Sequence, residues 1–158
     1  YFNGHGPATV EDLARWAGIT LTDARAGLIS VAEELTCCEF AGDEYWMSAG
    51  PTGGDDHDAS VLLLPGFDEY LLGYRDRSAV IEPAHWEKIV PGGNGVLLPM
   101  LVVDGQVIGT WKRAVKAKSL SVSIQPFCPV SDAQLSAART AADSYGRFLG
   151  RPAKIDFV

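Results

Sequence analysis

The sequence predicts an α+β fold: two helices and a small hairpin first, then an antiparallel, β-rich, barrel-like region followed by a C-terminal helix. Three observations carry that prediction. Apolar residues between 10 and 35 recur at helical spacing, whereas those between 120 and 124 alternate with polar ones as on a half-buried strand. The two regions are separated by Ala49–Ala59 (AGPTGGDDHDA), a glycine-rich, acidic stretch with no periodicity.

Each element can be justified in turn. Gly4 to Pro7 has turn composition. Thr9 with Asp12 three residues on approximates a capping box, and Val10, Leu13, Trp16 and Ala17 then share one helical face. Gly18 stops that helix as a left-handed residue. Thr20 and Asp23 repeat the cap, and Ala24, Leu28, Val31 and Leu35 continue the pattern as a second helix. Two helices across a glycine-containing turn have the spacing of a helix-turn-helix. Thr36–Phe40 and Glu44–Ser48 flank Gly42 as a β-hairpin, so residues 1–50 follow the order of a winged helix-turn-helix. Residues 51–59 are expected to be a linker, and 60–158 the barrel-like domain.

Val61–Arg77 (VLLLPGFDEYLLGYRDR) is the hinge of this plan. Four apolar residues halted by Pro65-Gly66 predict a short buried strand that delivers a turn. Glu82-Pro83 opens a short helix over 84–89, and Pro91–Gly95 ends it. Val96–Val103 is a strand with Pro99 inside it, which points to an edge or a bulge. Asp104-Gly105 is a strong two-residue hairpin signal leading into the strand Gln106–Val115. In Ser119–Phe127, Leu120, Val122 and Ile124 point inward and Ser121, Ser123 and Gln125 outward. Ser131 with Gln134 forms a capping box, and Leu135, Ala138, Ala142, Tyr145 and Leu149 give a helical stripe ending at Gly150. Lys154–Val158 is a last strand paired with the meander, which the strand at Val61–Leu64 is expected to close or nearly close.

Composition bounds the function. A net charge of −7 argues against a chain that coats nucleic acid indiscriminately. The total hides an asymmetry: residues 1–58 hold two arginines against eleven acids, and residues 59–158 hold eleven bases against nine acids. Any footprint for phosphate therefore belongs to the second part. No apolar run approaches the roughly 18 residues of a membrane span, and no signal-peptide pattern is visible, so no membrane partner is expected. Cys37, Cys38 and Cys128 are an odd, sparse set that favours a reducing, cytoplasmic setting and buried-hydrophobe roles. Tyr1-Phe2 reads as the tail of an earlier helix, which predicts a fragment preceded by further modules.

The second helix of the helix-turn-helix is a poor DNA reader. Its exposed face offers Thr22, Asp23, Arg25, Ser30, Glu33 and Glu34, and the wing tip is Asp43-Glu44, whose carboxylates repel phosphate. The phosphate candidates are Lys112, Arg113, Lys116 and Lys118, with Arg75 and Arg77. The even spacing puts Lys112, Lys116 and Lys118 on one face of an extended chain. A solvated strand edge guarded by lysines is the competing reading. Arg75 and Arg77 are expected to brace the turn by pairing with Asp68 or Glu69. The carboxylates Asp68 and Glu69 suit a turn or cap better than acid–base work. Asp55-Asp56-His57-Asp58 lacks cation-site spacing, and His5, His57 and His85 form no zinc pattern or triad. Gly92–Gly95 precedes a strand rather than a helix, unlike a phosphate cradle. No nucleophile, metal or cofactor is predicted.

Three blocks, HGPATVEDLARWAGIT (5–20), LLPGFDEYLLGYRDRS (63–78) and VDGQVIGTWKR (103–113), together resemble the winged-helix DNA-binding family that includes the AlkZ- and YcaQ-like bacterial DNA glycosylases. The resemblance spans nearly the whole chain. It implies the C-terminal part of such a protein, the last of several winged helices plus the barrel, with double-stranded DNA and preceding winged-helix modules as partners. Those glycosylases act on alkylated or interstrand-crosslinked DNA through a glutamine-centred Gln-x-Gln motif. Here Gln106, Gln125 and Gln134 stand alone, so the resemblance implies that this chain by itself is not catalytic. For Phe67, Asp68, Glu69, Arg77, Gly109 and Trp111 it implies a shared structural signature. A transcriptional regulator, or a protein-interaction module without a nucleic-acid role, are the alternatives.

Overall fold

The computed structural model describes residues 1–50 and 60–158. The expected linker, 51–59, and the Asp55–Asp58 tract fall outside the described residues. The chain divides into two units: Tyr1–Asp55 with Glu69–Asp76, and Asp56–Asp68 with Arg77–Val158.

The first unit contains a single helical turn α1 (Phe2–His5), helices α2 (Val10–Ala17) and α3 (Leu21–Val31), and strands β1 (Leu35–Phe40) and β2 (Asp43–Ser48). It also holds a further helical turn, α4 (Glu69–Leu72). Thr9 caps α2 in a full capping box with Asp12, and Gly18 ends it at φ 66°. Thr20 caps α3 through the Asp23 amide. Residue 35 departs from the expected helical pattern: a 3-10 turn at Ala32–Glu34 ends the helix and sends Leu35 into β1. β1 and β2 pair antiparallel across Ala41-Gly42, both at positive φ, and Ala8 bridges to Trp46. Phe2, Ala8 and Leu28 form one small core cluster, with Tyr1, Val10, Leu13, Leu35, Trp46 and Tyr74 against it, and Ala24 and Leu71 are fully buried as well.

The second unit is built on one five-stranded sheet: β3 (Val61–Leu64), β4 (Met100–Val103), β5 (Gln106–Val115), β6 (Leu120–Pro126) and β7 (Ala153–Phe157), in that spatial order. The first three pairings are antiparallel, and β6–β7 is parallel. A parallel pair needs a long crossover, and the seventeen-residue helix α6 (Asp132–Phe148) supplies it. The expected closed or nearly closed barrel is therefore not formed. Among the described residues β3 pairs only with β4 and β7 only with β6, so the sheet has two edges. Closure is unnecessary because α6 covers one face. Leu101, Val103, Trp111, Leu120, Val122 and Ile124 meet Ala138 and Ala142 of α6, with Val61, Leu63, Tyr145 and Leu149 alongside.

Local signals in this unit match the backbone. Asp104 and Gly105 sit at φ 47° and 78°, a type I′ turn between Val103 and Gln106. Ser131 forms a capping box with Gln134. Pro99 lies just ahead of β4, and the register shift falls instead between Leu101 and Val102. The expected helix over 84–89 is a 3-10 turn at Pro83–His85 followed by one α-turn, α5 (Trp86–Ile89). Gly109 stands where side chains cannot: a Cβ there would meet the Gln125 carbonyl oxygen at 2.7 Å and Pro126 Cα at 3.0 Å.

Strand alternation puts Met100 and Val102 on the face away from α6, and both are fully buried. The segment before β4 adds Ile81, Ile89, Val90 and Leu97 to the buried set, and Val107 N–H donates to Val80 O to tie it to the sheet. Farther along the same face, at β5–β6–β7, Lys112, Gln125, Lys154 and Asp156 are exposed. One half of this face is apolar and covered. The other is polar and open.

Candidate nucleic-acid interface

The four cations of the strand region lie in the second unit. Lys112 and Arg113 are adjacent on β5, opposite Ser123 and Val122 of β6, so their side chains leave opposite faces of the sheet. Lys116 and Lys118 stand past the last pair, Val115–Leu120, in the β5–β6 turn closed by Lys116 N–H to Ser119 O. All four are exposed. Arg151 reaches the same turn, donating to Ala117 O at 3.4 Å, and Lys154 lies opposite Ser121 on β7. Neither was singled out from the sequence, because the parallel pairing that brings β7 to β6 leaves no local pattern. No Asp or Glu occurs between Gly105 and Ser131. The expected single-face row of lysines does not hold at the turn, where the chain leaves the strand after Val115.

Arg113 is the most constrained of the set. Its guanidinium lies 5.5 Å from the Tyr145 ring centre and donates to the Tyr145 hydroxyl. Trp111, two residues earlier on the same face, packs edge-on against Tyr145 and donates its indole N–H to Leu64 O at 2.7 Å. Arg113 is thereby aimed by the buried side of the sheet while its charge stays exposed.

Arg75 and Arg77 stand on the chain before β4, outside β5 and its turn. Arg75 belongs to the first unit; its backbone N–H donates to Asp12 Oδ1 at 2.6 Å and its side chain is exposed. Arg77, half-buried in the second, lies over the Trp86 ring at 5.1 Å. The expected brace is to Asp68 or Glu69, and of these Glu69 makes its contacts among the described residues elsewhere. Glu69 Oε2 accepts the Trp16 indole N–H at 2.7 Å and lies 3.6 Å from His5 Nε2. Glu69 heads α4, which belongs to the first unit, so the carboxylate faces the α2 residue Trp16 rather than its own turn. Phe67, just before it, is exposed at φ 59°.

The first unit gathers polar groups of another kind. Asp12, 4% exposed, accepts from Thr9 N, Thr9 Oγ1 and Arg75 N. Trp16, expected on the buried face of α2, is 48% exposed, and its ring lies near Tyr1 and His5. Tyr1 donates to Gly73 O and Tyr74 to His5 O. Burial, then the nearby charges of Asp12 and Glu69, push the Tyr74 phenol above its ordinary range; the same causes act on Tyr1, where Tyr74 adds to them. On α3, the lone cation Arg25 lies 3.5 Å from Glu11, while Thr22, Asp23 and Ser30 are exposed, as are Glu33 and Glu34 of the 3-10 turn that follows.

Residues 1–148 match the family model described as DNA glycosylase AlkZ-like, and the chain belongs to that family. A curated relative, the interstrand DNA cross-link repair glycosylase of Streptomyces sahachiroi, is 29% identical over 118 residues, covering 71% of this chain and 32% of the relative. The solved structure of Streptomyces sahachiroi DNA glycosylase AlkZ superposes with a TM-score of 0.68 at 26% identity, over 95% of this chain and 42% of that one. The chain thus spans about a third of the length of the curated relative it matches. None of the helices among the described residues is long and apolar enough to cross a membrane.

Proposed function

We propose that this chain is the DNA-holding part of an AlkZ-type glycosylase acting on alkylated or crosslinked duplex DNA. In this reading residues 1–50 are a winged helix-turn-helix serving as scaffold, joined through 51–59 to a phosphate-binding sheet domain over 60–158. The observation that carries it is the acid-free stretch from Gly105 to Ser131, which presents Lys112, Arg113, Lys116 and Lys118 on a strand and its turn. Phosphate contacts of this kind fix register on a duplex without reading sequence. The α3 region supports the division of labour, since its one arginine lies against Glu11 and its other charged groups, Asp23 and then Glu33 and Glu34 of the 3-10 turn, are acids. Phe67, Asp68, Glu69, Arg77, Gly109 and Trp111 are assigned a structural role. Base excision falls to groups other than Gln106, Gln125 and Gln134, which do not form a Gln-x-Gln motif.

The test is binding of a duplex by the chain and by its Lys112→Ala/Arg113→Ala variant. The variant should lose affinity for every sequence alike, and the chain alone should release no alkylated base from the duplex. Unchanged affinity would remove these two residues from the interface. Base release by the chain alone would overturn the non-catalytic reading.

A further inference from the structure

The open half of the sheet face carries a cleft of about 200 Å³ lined by Thr110, Trp111, Lys112, Ser123, Gln125 and Val158. Register explains the convergence: Thr110 lies opposite Gln125, and Lys112 opposite Ser123, so all four side chains leave one face of two neighbouring strands. Thr110 is only 5% exposed. Its hydroxyl is not sealed in, yet it has no hydrogen-bond partner among the described residues, and the same is true of the polar ends of Lys112, Ser123 and Gln125. Buried polar groups normally find partners. Here the hydroxyl of the buried Thr110 faces a space shared with one exposed cation, a half-buried hydroxyl and an exposed amide.

That donor set selects its ligand. One ammonium and three neutral donors suit an oxygen-rich group carrying about one negative charge, as a phosphodiester does. Asp156, opposite Ser123 on β7, disfavours an anion on that side, while Lys154 lies one row farther, opposite Ser121. The Thr110–Gln125 end lies away from Asp156 and is bordered by Val158. Gly109 keeps β5 and β6 close at this end, where a Cβ would strike the Gln125 carbonyl.

We propose that this cleft is a phosphate subsite that seats one phosphodiester of a nucleic-acid strand. Its oxyanion chemistry stands on the cleft alone; the strand as the source rests on the DNA-holding reading above. The experiment is an amide-resonance titration of the chain with inorganic phosphate at constant ionic strength, and separately with a short duplex, for wild type, Thr110→Val and Gln125→Leu. Gln125 is exposed, so its variant keeps the test informative if Thr110→Val fails to fold.

Phosphate should move the Thr110, Ser123 and Gln125 resonances saturably, and each variant should weaken that response about three- to tenfold, the value of one hydrogen bond. The duplex should move the same resonances and compete with phosphate. No response to either ligand would overturn the subsite. A duplex response confined to Lys116 and Lys118 would overturn it while leaving the DNA-holding reading intact. A phosphate response that the duplex neither reproduces nor displaces would overturn the strand as its source.

Discussion

In the first unit a carboxylate is among the most deeply buried groups: Asp12 holds the Thr9 cap and the Arg75 amide together from a position 4% exposed. In the second, the most buried groups are side chains such as Leu120, Val122 and Ile124, all 0% exposed, packed under α6. Charge follows the same division. Residues 1–50 and 69–76 carry ten acids and three bases, whereas residues 60–68 and 77–158 carry seven acids and ten bases. Among the described residues of the first unit Asp12 is the buried acid that serves as a polar tie, while its other acids stand at the surface. A unit with a large apolar face needs no charged ties and can leave its lysines to solvent, where a polyanion can use them.

The contrast can be broken by perturbing each core. Leu120→Ala should destabilise the second unit by about 2–5 kcal/mol, the cost of reduced burial plus a cavity. Denaturant unfolding measures it, and a change below about 1 kcal/mol would mean that the sheet face relaxes around the gap. Asp12→Ala should cost about 3 kcal/mol, because three donors are left without their acceptor in a buried setting. A near-neutral result would show that the first unit is not held by this carboxylate.

Titration sharpens the same contrast. Tyr1, Tyr45, Tyr70 and Tyr74 all belong to the first unit, and burial leads the causes that raise each phenol. A raised folded-state value means the folded chain holds the proton more tightly. The associated stability is complete below about pH 10, where unfolded tyrosine begins to ionise, and is lost as pH climbs through the folded values. Stability should therefore decline above about pH 10, and Tyr74→Phe should make the decline shallower. A decline of equal slope in Tyr74→Phe would remove that phenol from the account.

Much of the fold was legible because its signals are local. Thr9 with Asp12, Ser131 with Gln134, Gly18, and Asp104-Gly105 each act within four residues, and each does in the structure what its chemistry requires. The open sheet was not legible. Nothing in Lys154–Val158 says that it will lie parallel to β6, and that pairing turns an expected barrel into a sheet with two edges. Nor was the partner of Glu69, since Trp16 is 53 residues away and its spacing on α2 is that of a core residue. The cations of β5 were visible, but the neighbourhood of Thr110 was not. Its burial depends on the register between β5 and its neighbours β4 and β6, and its hydroxyl resembles any other on a strand.

The central claim is that DNA is met by the second unit and not by the acidic helices of the first. The most direct measurement is the dependence of duplex affinity on salt concentration for wild type, Lys116→Ala/Lys118→Ala and Arg25→Ala. Removing one phosphate-neutralising cation should reduce the log–log slope by about 0.9. The lysine pair should therefore flatten it by nearly two, with Arg25→Ala unchanged. A slope that flattens in Arg25→Ala and stays constant in the lysine variant would contradict the claim.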